Sequence, residues 1–229
     1  MKYLLADHAA ALIDRIIMDQ IPEGSRVLDL GCGDGRLLCR LRDEMGASIQ
    51  GVERDPKAVI AAISKGVPVI QADLDQGLDE IPDHAFDYAV LSQTLQQVIQ
   101  PENVVNEMLR AAQRAIVVVP NFGHWRIRLQ ILVNGRVPIT SELPYDWYNT
   151  PNLHFLTMID FRALTERLQL RIVRELPIVS GVAKAGLKLA NLRAESALFV
   201  LERMTNEVIP ITIPEPQKPA TEIESDSAV

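Results

Sequence analysis

Apolar and polar positions along this chain switch repeatedly between a helical and a strand period. Leu12, Ile13, Ile16 and Ile17 share one face over residues 9–20, which predicts an amphipathic helix. Pro22-Glu23-Gly24 breaks it. Arg26-Val27-Leu28 then reads as a short buried strand, and Leu37, Leu38, Leu41 and Met45 place a helix over 36–45. The alternation continues with a strand over 48–53, a helix opened by Asp55-Pro56, and strands over 67–72 and 86–91. Val104, Val105, Met108 and Leu109 form the apolar face of a helix over 101–113. Residues 115–119 are a continuous apolar run, typical of a strand buried on both faces. A helix over 159–168 precedes two last strands, 170–178 and 197–203, which pair as an antiparallel end to the sheet. Between them, 183–192 reads as a short helix with Lys184 and Lys188 on a solvated face. The expected architecture is α/β, with a doubly wound, mainly parallel, seven-stranded sheet.

The first strand runs into Asp29-Leu30-Gly31-Cys32-Gly33-Asp34-Gly35. Glycines at a strand-to-helix turn let the backbone approach a ligand, because no Cβ stands in the way. The spacing is G-x-G-x-G, and Asp29 precedes it. A carboxylate there opposes a pyrophosphate, which seeks a helix N-terminus, but suits a cationic ligand. S-adenosylmethionine carries a sulfonium and an ammonium and no phosphate. Glu53 ends the second strand, about 20 residues after Gly33, where an acid can accept from both ribose hydroxyls. Asp73-Leu74 ends the third strand, with an acid for an adenine amino group and an apolar cover for the ring. The candidate cofactor-binding set is Asp29, Gly31, Cys32, Gly33, Gly35, Glu53, Arg54, Asp73, Leu74 and Ser92, for S-adenosylmethionine or S-adenosylhomocysteine.

Composition is that of an ordinary globule, 48% hydrophobic and 23% charged over 229 residues. A net charge of −7 argues against a general nucleic-acid binder, which depends on phosphate neutralisation. Cys32 and Cys39 are too few for a disulfide framework or a zinc site, and no cluster has metal-ligand spacing. The N-terminus has no basic stretch leading into an apolar core, and no run reaches membrane-spanning length, so the expected location is cytoplasmic. From residue 205 the texture changes. Pro210, Pro214, Pro216 and Pro219 punctuate an acidic tail without aromatics, expected to be mostly disordered. The domain expectation is therefore one α/β unit over 1–204 and a tail over 205–229.

Residues 121–157 form a long insertion after the fifth strand. Both tryptophans fall here, with two of four tyrosines and two of four histidines. A plain strand-to-helix connection needs only a few residues. Such an insertion acts as a lid or binding loop, or as a cap packed by its own aromatics. Four runs carry a family resemblance: D-L-G-C-G-D-G, Ser92-Gln93-Thr94-Leu95-Gln96, P-N-F-G-H-W-R-x-R from Pro120, and P-Y-x-W-Y-x-T-P-N-x-H from Pro144. With them the chain resembles the MetW family of methionine biosynthesis proteins, up to about Arg203. The resemblance implies the class I S-adenosylmethionine-dependent methyltransferase fold, which is Rossmann-like. It also implies a homoserine O-acyltransferase, MetX, as partner, and establishes no methyl acceptor.

Methyl transfer from a sulfonium needs positioning and water exclusion, with a general base only for a poor nucleophile. His124 and His154 are the base candidates, or else hydrogen-bonding struts in the cap. Trp125, Arg126, Arg128, Tyr145, Trp147 and Tyr148 are the candidate substrate or partner contacts. Asp146 is an alternative ion-pair partner for Arg126, Arg128 or Arg136. His8 and His84 carry no motif and are expected on the surface. Two readings stay open, a cofactor-binding partner of the acyltransferase and a methyltransferase for a small metabolite or protein.

Overall fold

A computed structural model of the chain describes residues 2–140 and 145–204, with side chains from residue 10 onward. The expected tail over 205–229, the residues Leu143-Pro144 and the side chain of His8 lie outside the described residues. The first half alternates as read: α1 (Lys2–Met18), β1 (Arg26–Leu30), α2 (Arg36–Met45), β2 (Ser48–Glu53), α3 (Pro56–Ser64) and β3 (Val69–Gln71). β4 (Phe86–Ser92), α4 (Pro101–Ala111) and β5 (Ala112–Pro120) follow, then α5 (Trp125–Asn134) and α6 (Met158–Arg167). The chain closes with β6 (Leu170–Val179), β7 (Val182–Ala183), α7 (Ala190–Arg193) and β8 (Ser196–Arg203).

The element ends have local causes. Asp55 caps α3 by accepting from the Lys57 N–H at 3.1 Å, with Pro56 in the first turn. Gly46, left-handed at φ 63°, stops α2. Thr157 and Asp160 form a reciprocal capping box at the start of α6. The expected helix over 183–192 shrinks to α7, because Gly186 and Leu189 both take positive φ, 69° and 56°. β7 adds one short strand to the seven expected.

The sheet order is β3-β2-β1-β4-β5-β8-β6-β7, with β1 to β5 mutually parallel and β8 antiparallel to both β5 and β6. Along β5 the period of two sends Val117 and Val119 into one core and Ile116 and Val118 into the other. α4 and α6 cover the first face through Met108, Leu109 and Phe161, whose ring meets Phe199 at 4.6 Å. α1 and α2 cover the second through Ile17, Leu38 and Leu41. Chain order reverses between β1 and β4. A doubly wound sheet opens its ligand crevice at that reversal, beyond the carboxyl ends of the strands.

Candidate functional site

The crevice at that point has two adjoining lobes. One, of about 310 Å³, is lined by Gly31, Glu53, Arg54, Asp73, Leu74 and Val98 among others. The other, of about 230 Å³, is lined by Asp14, Asp29, Cys32, Gly33 and Arg36 among others. Gly31, Ser92 and Gln93 border both. Every cofactor-set residue except Gly35 therefore lines a lobe. Gly35, at φ 76°, opens α2. Gly31 has φ 73°, and a Cβ there would lie 2.9 Å from Thr94 Oγ1, so only glycine keeps the β1 turn against the end of β4.

The acids of the larger lobe are partly committed to the fold. Glu53 accepts the Gly33 N–H at 2.9 Å and the Arg54 and Asp55 N–H groups, both at 2.8 Å. A carboxylate has about four lone-pair sites, so one remains for a ligand hydroxyl rather than the two expected. Asp73 caps the turn over Leu74–Gln76 and pairs with Arg54 at 3.4 Å. Asp75 accepts the Ile99 N–H at 2.8 Å and the Gln100 N–H at 3.0 Å, which pins the lobe floor to the segment after β4.

The smaller lobe differs. Asp29 is 4% exposed, and among the described residues no hydrogen bond or ion pair engages its carboxyl. Burial, then the nearby Asp14 and Glu53 charges, push its pKa up to about 8. Across the lobe, Arg36 pairs with Asp14 of α1 at 2.6 Å. A buried acid without a cation beside a guanidinium fits a ligand that presents an ammonium and a carboxylate. Cys32 packs as a small apolar residue; burial pushes its thiol up to about 12, so it stays protonated.

Neither candidate base lines either lobe. His124 caps α5, its Nδ1 accepting the Arg126 N–H at 3.3 Å, and burial lowers its pKa. His154 lies on the cap's return segment, where Nε2 meets the Val98 carbonyl at 3.0 Å. A carbonyl only accepts, so that nitrogen carries the proton. Phe122 and Phe155 stack at 4.8 Å and tie the two ends of the cap. Asp146 accepts from Tyr148 at 3.4 Å and forms none of the three arginine pairs considered for it. Arg128 donates to the Gly123 carbonyl at 2.7 Å, and Arg126 stands 5.4 Å over the Trp125 ring. Trp147 and Tyr148 meet edge to face at 5.7 Å and are largely exposed. His84 is exposed.

The family model of the methionine biosynthesis protein MetW matches residues 13–201. The chain belongs to the MetW family. It is 39% identical over 168 residues to the bifunctional methionine biosynthesis protein MetXA/MetW of Rhodopirellula baltica, a match covering 69% of this chain. The chain spans 27% of the length of that curated relative. Solved structures similar to it include a SAM-dependent methyltransferase, possible histamine N-methyltransferase, of Thermotoga maritima. That likeness has a TM-score of 0.62 and 19% identity, covering 88% of this chain and 92% of that one. An S-adenosylmethionine-dependent methyltransferase of Mesorhizobium loti gives a TM-score of 0.60 at 22% identity, covering 81% and 94%. These likenesses show the class I methyltransferase fold.

In this MetW-family chain several residues of the site and its frame carry no local sequence signal. Asp14 meets the crevice only through tertiary packing, while Arg36 and Asp75 adjoin the predicted residues Gly35 and Leu74 along the chain without a motif of their own. Asn121 is the hub of the cap's first turn: 1% exposed, it donates to the Asn191 and Ala194 carbonyls and accepts from the Gly123 and Met158 N–H groups. The P-N-F-G run held the clue, since Asn offers this donor–acceptor pair. Asn121→Ala strands four backbone groups, three of them buried, and is expected to destabilise the chain by about 3–4 kcal/mol in denaturant unfolding. A loss under ~1 kcal/mol would mean that other contacts organise this turn.

Proposed function

We propose that this chain binds S-adenosylmethionine in the two-lobed crevice and serves methionine biosynthesis by docking on a homoserine O-acyltransferase and raising its activity. The observation that carries the partner role is the surface of α5. Of its six apolar residues only Ile127 is buried, while Trp125, Leu129, Ile131, Leu132 and Val133 are exposed. Trp125, Leu129, Leu132 and Val133 fall on one face of the helix, and an exposed apolar stripe of this kind expects a cover. The fused MetXA/MetW relative supports the choice of occupant, because there a segment like this chain and a MetXA segment share one polypeptide.

In the cofactor reading, Asp29 receives the ammonium, Arg36 the carboxylate, Glu53 one ribose hydroxyl, and Leu74 and Val98 flank the base. S-adenosylmethionine would supply an electrophilic methyl group to any acceptor placed in line with it. The chain's own part is to hold the ligand's charges and exclude water from the smaller lobe. A cytoplasmic setting follows from such a partner; no helix among the described residues is long and apolar enough to cross a membrane. The methyltransferase reading draws on the same crevice, whose unpaired buried acid suits the cofactor in a catalyst as well as in a sensor.

The deciding experiment measures the acyltransferase rate with and without this chain, and with and without S-adenosylmethionine. A rise on adding the chain supports the partner role, and a further change with the ligand makes the crevice a sensor. No change and no co-elution would sink the partner reading and leave the methyltransferase reading, to be tested by label transfer from methyl-labelled cofactor.

A further inference from the structure

A second pocket, of about 180 Å³, lies under the cap and shares no residue with either lobe of the crevice. It is lined by His124, Arg126, Ile127, Gln130, Ile139, Thr140 and Glu195. Two opposite charges face it. Both act on the His124 ring, Glu195 raising and Arg126 lowering its affinity for a proton. Yet Arg126 and Glu195 form no ion pair with each other or with any other described residue. Charges that share a pocket without joining leave room for a ligand between them.

The pocket is also built rather than incidental. Glu195 is fixed at its backbone by Ile178 and Asn121, at 3.0 and 2.9 Å, and one carboxylate oxygen accepts the Ser180 N–H at 2.7 Å. The other oxygen is left for a ligand. His124 is 6% exposed. Its Nδ1 is an acceptor for Arg126 N–H, so in the neutral ring Nε2 carries the proton, and no described residue receives it. Gly123 keeps the turn below it flat, since a Cβ there would meet Asn191 Nδ2 at 2.9 Å. The Arg126 guanidinium carbon stands 5.4 Å over the Trp125 ring, and no described residue accepts its N–H groups, which leaves them for an anion.

We propose that this pocket binds a free zwitterionic α-amino acid. Its carboxylate would take the Arg126 N–H groups and the His124 Nε2–H, its ammonium the open oxygen of Glu195, and its side chain the apolar wall of Ile127 and Ile139. The volume limits it to a small or medium side chain. The inference is independent of the cofactor reading, because it uses none of the crevice residues.

The test is calorimetric titration of the whole chain with each proteinogenic L-amino acid, then with the N-acetyl and methyl-ester forms of the tightest binder. Binding is expected for at least one free amino acid. Blocking either charge is expected to weaken it roughly tenfold to a hundredfold, the worth of one charge-assisted hydrogen bond. Glu195→Gln, which can still accept from Ser180, and Arg126→Met should each weaken it similarly, with unchanged melting temperatures confirming the fold. Asp29→Asn should leave this affinity as it was. The proposal is overturned if no amino acid binds at millimolar concentration, if a blocked form binds as well as the free one, or if Asp29→Asn removes the binding.

Discussion

Asp29→Asn is expected to fold as well as the parent chain and to lose S-adenosylmethionine. Asparagine has the shape of a protonated aspartate, and burial already holds Asp29 in that form below about pH 8. The apo protein therefore exchanges one neutral polar group for another. The ligand does not. Its ammonium loses the one buried carboxyl without a partner among the described residues of the smaller lobe, since Asp14 is taken by Arg36. Removing one partner of a buried charge pair costs about 2–5 kcal/mol, a loss of roughly thirtyfold or more in affinity. Calorimetry on both proteins reads this directly, and equal affinities would place the ammonium elsewhere.

The same carboxyl gives the reading a pH signature with a fixed sign. In the unfolded chain Asp29 titrates near the ordinary value of about 3.9, and in the folded chain near 8. Between those values the folded state keeps a proton that the unfolded state has released. Stability from this group is thus complete below the lower value and falls as pH rises towards the upper one, by up to about 1.4 kcal/mol per pH unit. The asparagine variant should fall less over that range. Binding of a cation to Asp29 at pH 7 must also expel its proton. Titration in two buffers of different ionisation enthalpy should then show close to one proton released per ligand in the parent chain and none from the substituted position in the variant.

What could be read from the sequence was what depends on neighbours along the chain. The strands announced themselves as buried runs, and the glycine turn and the acids Glu53 and Asp73 at strand ends followed from their position after those runs. Asp29 was legible for the same reason. What those acids bond to was not. Glu53 spends two acceptor sites on the N–H groups just after it and a third on Gly33, the last visible only once β1 and β2 lie in register. Asp14 and Arg36 come together across the packing of α1 on α2, 22 residues apart in sequence and so outside any local motif. The two histidines stood out because both sit in an aromatic insertion, as base candidates or as struts of the cap. Asn121, bonded to residues some 70 positions later, shapes the turn that places His124 at a separate pocket. α5 escaped detection because Ile127 and Ile131 stand opposite its apolar stripe of Trp125, Leu129, Leu132 and Val133, which blurs the helical period.

That exposed stripe gives the second large effect. Leu132 is 82% exposed and Trp147 is 72% exposed, so neither holds the isolated chain together. Their replacement in Leu132→Glu/Trp147→Ala should change stability by no more than about 0.5 kcal/mol per site and leave S-adenosylmethionine affinity unchanged. The cap around them is apolar and cationic, with Arg126, Arg128 and Arg136 and no acid between residues 120 and 140, on a chain of net charge −7. A partner that covers the cap would bury an aliphatic and an aromatic anchor, the kind of contact that dominates interface energy at about 2 kcal/mol or more each. A glutamate in that position would also be desolvated without a planned partner. The double variant is therefore expected to weaken binding to the acyltransferase at least a hundredfold and to abolish its stimulation, read by co-elution and by the acyltransferase rate. If stimulation survives intact, the apolar cap serves another purpose and the docking face lies elsewhere. If stimulation is lost while ligand affinity holds, crevice and cap are separable, and any effect of S-adenosylmethionine on the partner must pass between them through the segment that joins them, where Gln96 and Val98 bond the cap at Leu153 and His154.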